Sequence, residues 1–180
     1  MLDLSQNYFA LFGLPVAYGL DEEQLAERYR ALQQQLHPDR FAAASDQERR
    51  LSLQASMRVN EAYQVLRDPL ARARYLLTLQ TQEAIPENES TQDGAFLLEQ
   101  MALREALEEA KEQPDPYGFI GTVLQQLDRQ EQDLLAQLPS RLENPNPQHL
   151  EEARELIRKL QFVRRCRTEA EQLESELDAF

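Results

Sequence analysis

Only three side chains in this 180-residue sequence titrate near neutrality or serve readily as soft nucleophiles and metal ligands: His37, His149 and Cys166. His37 opens the tripeptide His37-Pro38-Asp39. An imidazole close to a carboxylate is raw material for acid–base chemistry, but a hydrolytic triad needs a third, oriented nucleophile. No serine or cysteine stands in a recognisable nucleophile motif. His149 falls near an expected helix start and reads as a solvated surface residue. Cys166 lies at helical spacing with Val163, Ala170 and Leu173, which reads as buried packing. Two histidines and one cysteine without ligand spacing argue against a zinc site. A lone cysteine excludes an internal disulfide. No catalytic residue, metal or cofactor is therefore assigned, and the tripeptide is better suited to recognition. Pro38 fixes a turn. Asp39 offers a carboxylate for a charge-assisted bond to a partner arginine, with Arg28, Arg30 and Arg40 as nearby cations.

The elements that position these residues are all helices. Leu, Gln, Glu, Ala and Arg abound, only five residues are Gly, and runs of Val, Ile and Thr are lacking. Residues 7–12 make a short aromatic helix stopped by Gly13 and Pro15. Asp21 with Gln24 opens a second helix, which carries Leu25, Tyr29, Leu32 and Leu36 and ends at Pro38. Ser45 with Glu48 opens a third, to about Arg67, with Leu53, Met57, Ala62 and Leu66 among its apolar positions. Asp68-Pro69 starts a fourth, with Ala73, Leu76 and Leu77, ending near Gln80. The polar stretch 81–94 reads as a linker. Three further segments follow: about 95–112, from Asp115-Pro116 to just before Pro139, and from Asn146-Pro147 to about Leu177. Short connections imply a three-helix bundle. The expected organisation is 1–80, a linker over 81–94, and a bundle over 95–180.

Charge divides the chain in the same way. Residues 1–80 hold 9 Lys and Arg against 10 Asp and Glu, whereas residues 81–180 hold 10 against 22. The halves thus net −1 and −12, so they are expected to meet different partners. The total of −13 argues against a nucleic-acid partner, because phosphate binding needs a basic surface. No apolar run approaches the ~18 residues of a membrane span. The opening residues Met1-Leu2-Asp3-Leu4 lack the basic start of a targeting peptide, and a bacterial-type cytoplasm is expected.

The context of His37-Pro38-Asp39 is specific. Tyr29-Arg30-Ala31-Leu32 precedes it. Asn60-Glu61-Ala62-Tyr63-Gln64-Val65-Leu66, Asp68-Pro69 and Arg72-Ala73-Arg74-Tyr75 follow. In order and spacing, residues 7–76 resemble a J-domain. The resemblance implies that the tripeptide and the preceding helix dock on the ATPase domain of a DnaK-class chaperone and promote ATP hydrolysis there. One departure is evident. Gln33, Gln34 and Gln35 occupy the end of that helix, where many J-domains carry Lys or Arg.

The helix from Ala95 carries two apolar groups at 100° per residue. Phe96, Leu103, Leu107 and Ala110 share one arc, as a bundle core requires. Leu97, Leu98 and Met101 share another, which continues through Glu105 and Glu109. A helix packed on one side needs one stripe, so the second reads either as a binding face or as a surface packed on the first domain or the linker. On the last helix Ala153, Leu156, Leu160 and Val163 form a core stripe. Phe162 points outward from it, free to extend the Leu97 patch if the two helices adjoin.

Ala95-Phe96-Leu97-Leu98-Glu99-Gln100-Met101-Ala102-Leu103-Arg104-Glu105 is similar to the hallmark stretch of the HscB family. So are Tyr8-Phe9-Ala10-Leu11-Phe12-Gly13-Leu14-Pro15, His37-Pro38-Asp39-Arg40-Phe41, Tyr75-Leu76-Leu77, Lys159-Leu160-Gln161-Phe162 and Ala170-Glu171-Gln172-Leu173. This resemblance implies an all-α, L-shaped protein in which a J-domain joins a three-helix bundle. The implied partners are HscA, a DnaK-class chaperone ATPase, and IscU, the scaffold on which iron–sulfur clusters are built. It implies chaperone contact through His37, Pro38, Asp39, Arg28, Arg30 and Arg40. Scaffold contact is implied through Leu97, Leu98, Met101, Glu105, Glu109 and Phe162. Ala102 departs from the acidic residue often found there. The rival readings are a J-domain co-chaperone with a different client, a purely structural helical protein, and a hydrolase.

Overall fold

The computed structural model describes residues 3–37, 40, 45–86 and 89–178. The described elements are helical, with no strand among them. They are α1 (Tyr8–Leu11), α2 (Glu22–Leu36), α3 (Asp46–Arg67), α4 (Pro69–Thr81), α5 (Gly94–Glu108), α6 (Pro116–Leu142) and α7 (Pro147–Asp178). A 3₁₀ turn, Glu109–Glu112, prolongs α5. The chain divides into two compact units, and the division falls inside α4, between Leu76 and Leu77.

In the first unit α3 is the central element, packed by α1 and α2. Both halves of its capping box form: the Glu48 N–H donates to Ser45 Oγ, and the Ser45 N–H donates to Glu48 Oε2 at 2.9 Å. The buried face of α3 is Ser52, Ala55, Val59, Ala62 and Leu66. Leu53 and Met57, by contrast, are 61% and 64% exposed. The 3-4-3-4 spacing from Ser52 to Leu66 sets the stripe, and Leu53 and Met57 fall off it. Phe9, Phe12 and Leu25 are fully buried. Tyr8 stacks on Tyr75 with centroids 4.3 Å apart, and the Tyr8 N–H donates to the Tyr75 hydroxyl. Arg58 lies 4.4 Å above the Tyr8 ring, and burial pushes the Tyr8 phenol up to about 12. After α1 the chain turns at Gly13, whose φ of +63° favours a residue without a Cβ.

The second unit is an up-down-up bundle. Three ion pairs join α7 to α5 or its flanks, Asp93–Lys159, Arg104–Glu169 and Lys111–Glu176, at a nearly constant offset of about 65 residues. That constancy makes α5 and α7 parallel. Glu131–Arg164 and Arg141–Glu152 instead converge along the sequence, so α6 runs antiparallel to α7. The core contains Leu103, Leu107, Ile120, Val123, Leu127, Val163, Cys166 and Ala170. Asp93 caps α5 through the N–H groups of Ala95 and Phe96, and Asp115 caps α6 through that of Gly118. A Cβ on Gly118 would lie 2.2 Å from an Asp115 carboxylate oxygen, so a larger residue there requires the capping side chain to shift. Helix α6 does not stop before Pro139 as expected. The proline sits in the last turn, where burial of Leu138 and Leu142 on either side holds the helix to its end.

Residues 81–94, read from sequence as a linker, fall within the second unit. Ile85 and Thr91 are buried, and Thr91 Oγ1 donates to Glu155. Arg158 gathers Glu89 at 2.7 Å, Glu155 at 3.0 Å and Glu151 at 3.2 Å. The Arg158 bond holds the Glu89 carboxyl below its ordinary range, and Lys159 does the same to Asp93. A depressed carboxylate adds stability above its unfolded-state value, and that stability is lost as pH falls through the lower folded value. Thermal melting should therefore weaken with acid below about pH 4, and less steeply in Glu89→Gln. Identical pH profiles for the two proteins would contradict the pairing.

Candidate functional site

The first candidate surface lies at the end of α2. Asp21 caps the helix by accepting from the Gln24 N–H at 2.9 Å, and Glu22 and Glu23 suit its positive N-terminal end. The far end is pinned to α3. Tyr29 stacks on Tyr63 with centroids 4.0 Å apart, and its hydroxyl donates to Asn60 Oδ1 at 3.0 Å. Gln33 also donates to Asn60, and Ser52 Oγ donates to the Leu36 carbonyl at 3.2 Å. Gln33 thus has a structural role here. His37 leaves the helix with ψ 133°, the extended backbone that a following proline imposes. It is exposed, and its carbonyl accepts the Arg40 N–H at 3.0 Å. Pro38 and Asp39 lie outside the described residues. Arg30 and Arg40 are exposed. Arg28 is exposed too, but its guanidinium reaches the Phe12 carbonyl at 3.5 Å, tying α2 to the end of α1.

The second candidate surface lies on the bundle. Leu103, Leu107 and Ala110 are buried, while Phe96 is half-buried. Of the second stripe, Leu98 is 69% and Met101 56% exposed, and Leu97 is half-buried. Glu105 and Ala102 are exposed on α5. Glu109 is also exposed, but it sits at the C-cap, where the helix tightens into the 3₁₀ turn. Phe162 does not point freely outward. It is half-buried against the core and meets Phe96 edge-on, centroids 6.1 Å apart at 82°. The 100° step misplaced it because the core wraps around α5 and α7 wherever their side chains meet.

Sequence reasoning missed Gln100, which is fully buried and donates to Gln130 Oε1 at 3.1 Å, linking α5 to α6. It also missed the cations over the two rings, Lys159 over Phe96 and Arg165 over Phe162, each 5.4 Å from the centroid. The spacing of three from Phe162 to Arg165 was the available signal. Cys166 is buried, and burial raises its thiol pKa, so it is poorly disposed to act as a nucleophile. His149 is half-buried, with Nδ1 2.8 Å from the Asn144 carbonyl at the start of α7. Among the described residues no His, Cys, Asp and Glu cluster could hold a metal ion, and no helix is long and apolar enough to cross a membrane.

Comparison with known proteins adds two matched regions. Residues 7–75 match the DnaJ domain, and residues 92–171 match the HSCB C-terminal oligomerisation domain. A co-chaperone protein HscB homolog from Shewanella amazonensis is 39% identical, over 95% of this chain and 98% of its own. One from Burkholderia thailandensis is 43% identical over 94% of each. Among solved structures, the chaperone HscB from Vibrio cholerae superposes with a TM-score of 0.82 at 40% identity, covering 96% of this chain and 99% of its own. Human co-chaperone HscB gives 0.84 at 27% identity, covering 94% and 83%.

Proposed function

Since the chain belongs to the HscB family of co-chaperones, we propose that it brings an IscU-type iron–sulfur scaffold to an HscA-type, DnaK-class chaperone and stimulates that chaperone's ATP hydrolysis. The observation that carries this reading is the pairing, in one chain, of a J-domain with a bundle that exposes an apolar and acidic stripe. The J-domain engages the chaperone through His37, Pro38, Asp39 and Arg40 and through Arg30 of α2, a helix whose end is anchored to α3. Arg28, exposed on the same helix, joins this contact and also ties α2 to the end of α1. The bundle holds the scaffold on Leu97, Leu98, Met101 and Phe162, flanked by Glu105 and Glu109. ATP hydrolysis tightens the chaperone's grip on the scaffold and favours cluster transfer to acceptors. The co-chaperone performs no bond chemistry of its own and works in the cytoplasm.

The direct test is binding of the full-length chain to an IscU-type scaffold, apo and cluster-loaded, measured by titration calorimetry. Saturable binding of at least one form is expected. Failure to bind either, with chaperone stimulation intact, would leave a J-domain co-chaperone with a different client.

A further inference from the structure

The parallel register of α5 and α7 shows which residues share the proposed scaffold-binding face. An offset of about 65 places Leu97 beside Phe162 and Met101 beside Cys166. Around α5, Leu97 and Met101 lie roughly 20° and 60° from Arg104, the side chain that reaches across to Glu169 on α7. Leu98 lies roughly 120° away and points outward. The α5–α7 groove is thus flanked by Leu97 and Met101 on one side and by Phe162 and its neighbours on the other.

Arg165 is one helical turn beyond Phe162, with its guanidinium over that ring. Its situation on α7 is unusual. Arg154, Arg158, Lys159, Arg164 and Arg167 each pair with a carboxylate. Arg165 alone of the α7 cations has no such partner among the described residues, although Asp and Glu outnumber Lys and Arg by 22 to 10 over residues 81–180. It is exposed, with its guanidinium carbon 5.4 Å from the Phe162 ring centroid, a contact that favours one placement of the side chain. A preorganised guanidinium fork retains donors for bidentate recognition of a carboxylate. The unit as a whole is strongly acidic, so a partner carboxylate is favoured beside a cation that no carboxylate of the unit already neutralises.

We infer that Arg165 belongs to the scaffold-binding face and takes an Asp or Glu carboxylate of the partner, beside the apolar segment seated on Leu97, Met101 and Phe162. The inference rests on the reading of the bundle as the scaffold-binding unit. It adds a sign to that contact: the complementary surface is apolar with a carboxylate at its α7 edge.

The test uses the full-length chain and an apo IscU-type scaffold, titrated at two ionic strengths. Arg165→Gln should bind about tenfold more weakly, with a flatter salt dependence, and Arg165→Glu more weakly still. One Asp→Lys or Glu→Lys reversal on the scaffold should restore binding of Arg165→Glu. Both variants should keep the wild-type melting transition, because the site is exposed. Wild-type affinity and salt slope in both variants, while Leu98→Ala with Met101→Ala loses binding, would overturn the role of Arg165 and leave the scaffold reading standing. Weakened binding that tracks a lowered melting temperature, with no reversal restoring it, would also overturn it, making Arg165 a support for Phe162. No binding by the wild type would overturn the scaffold reading itself.

Discussion

Replacing His37 by Gln, or Asp39 by Asn, should abolish stimulation of the chaperone's ATPase while leaving helical content and scaffold binding intact. The separation of effects follows from what holds α2 and from the exposure of His37. Helix α2 is held by its Asp21 cap, by Tyr29 on Tyr63, and by Ser52 on the Leu36 carbonyl, all N-terminal to His37 or on α3. His37 is exposed, and an exposed substitution typically changes stability by less than ~0.5 kcal/mol. A charge-assisted hydrogen bond contributes ~1.5–3 kcal/mol, so losing the Asp39 carboxylate at an ATPase interface should lower stimulation at least about tenfold. Steady-state phosphate release and circular dichroism read the two effects separately. Full stimulation by either variant at saturating concentration would remove the tripeptide from the mechanism.

The second large effect separates the two stripes of α5. Leu98 and Met101 are exposed, so their joint replacement by Ala should leave the melting transition nearly unchanged. Interface anchors nevertheless contribute on the order of 1–2 kcal/mol or more each, so scaffold affinity should fall by at least tenfold. Adding Leu97→Ala deepens the loss at some cost in stability, because Leu97 is half-buried. Leu103→Ala and Leu107→Ala should do the reverse. Both side chains are buried in the bundle core, where truncation typically costs ~2–5 kcal/mol. Stimulation by the J-domain alone should survive the Leu98 and Met101 changes. Equal destabilisation by the two sets would make the outer stripe a core element.

Much of the architecture was legible because local chemistry and tertiary packing agree. Ser45 with Glu48, Asp115-Pro116 and Asn146-Pro147 each start a helix where their hydrogen-bonding capacity predicts. The two apolar arcs of α5 likewise separate into buried Leu103 and Leu107 and exposed Leu98 and Met101. What was not legible depends on neighbours in space. Leu53 and Met57 keep a helical spacing that a single-helix pattern cannot distinguish from the true Ser52–Leu66 stripe. Residues 81–94 read as a linker because their composition is polar, yet Arg158, remote in sequence, draws Glu89 inward. Pro139 carries a stop signal that burial of Leu138 and Leu142 overrides. The half-burial of Phe162 against Phe96 required knowing that α5 and α7 lie side by side. The proposed chaperone contact rests on the tripeptide and its flanks in the sequence. The anchoring of Arg28 on Phe12 and of Gln33 on Asn60 emerged only from the packed helices.

The central claim is that one chain couples scaffold capture to chaperone ATP hydrolysis. Carrying both surfaces on one polypeptide raises the effective concentration of the scaffold near the chaperone. The most direct measurement is therefore the steady-state ATPase rate of the HscA-type chaperone with this chain alone, the scaffold alone, and both together. The rate with both should exceed the sum of the separate stimulations, and the excess should vanish with Leu98→Ala and Met101→Ala. A rate with both that only equals that sum, or an excess that survives loss of the patch, would contradict the account.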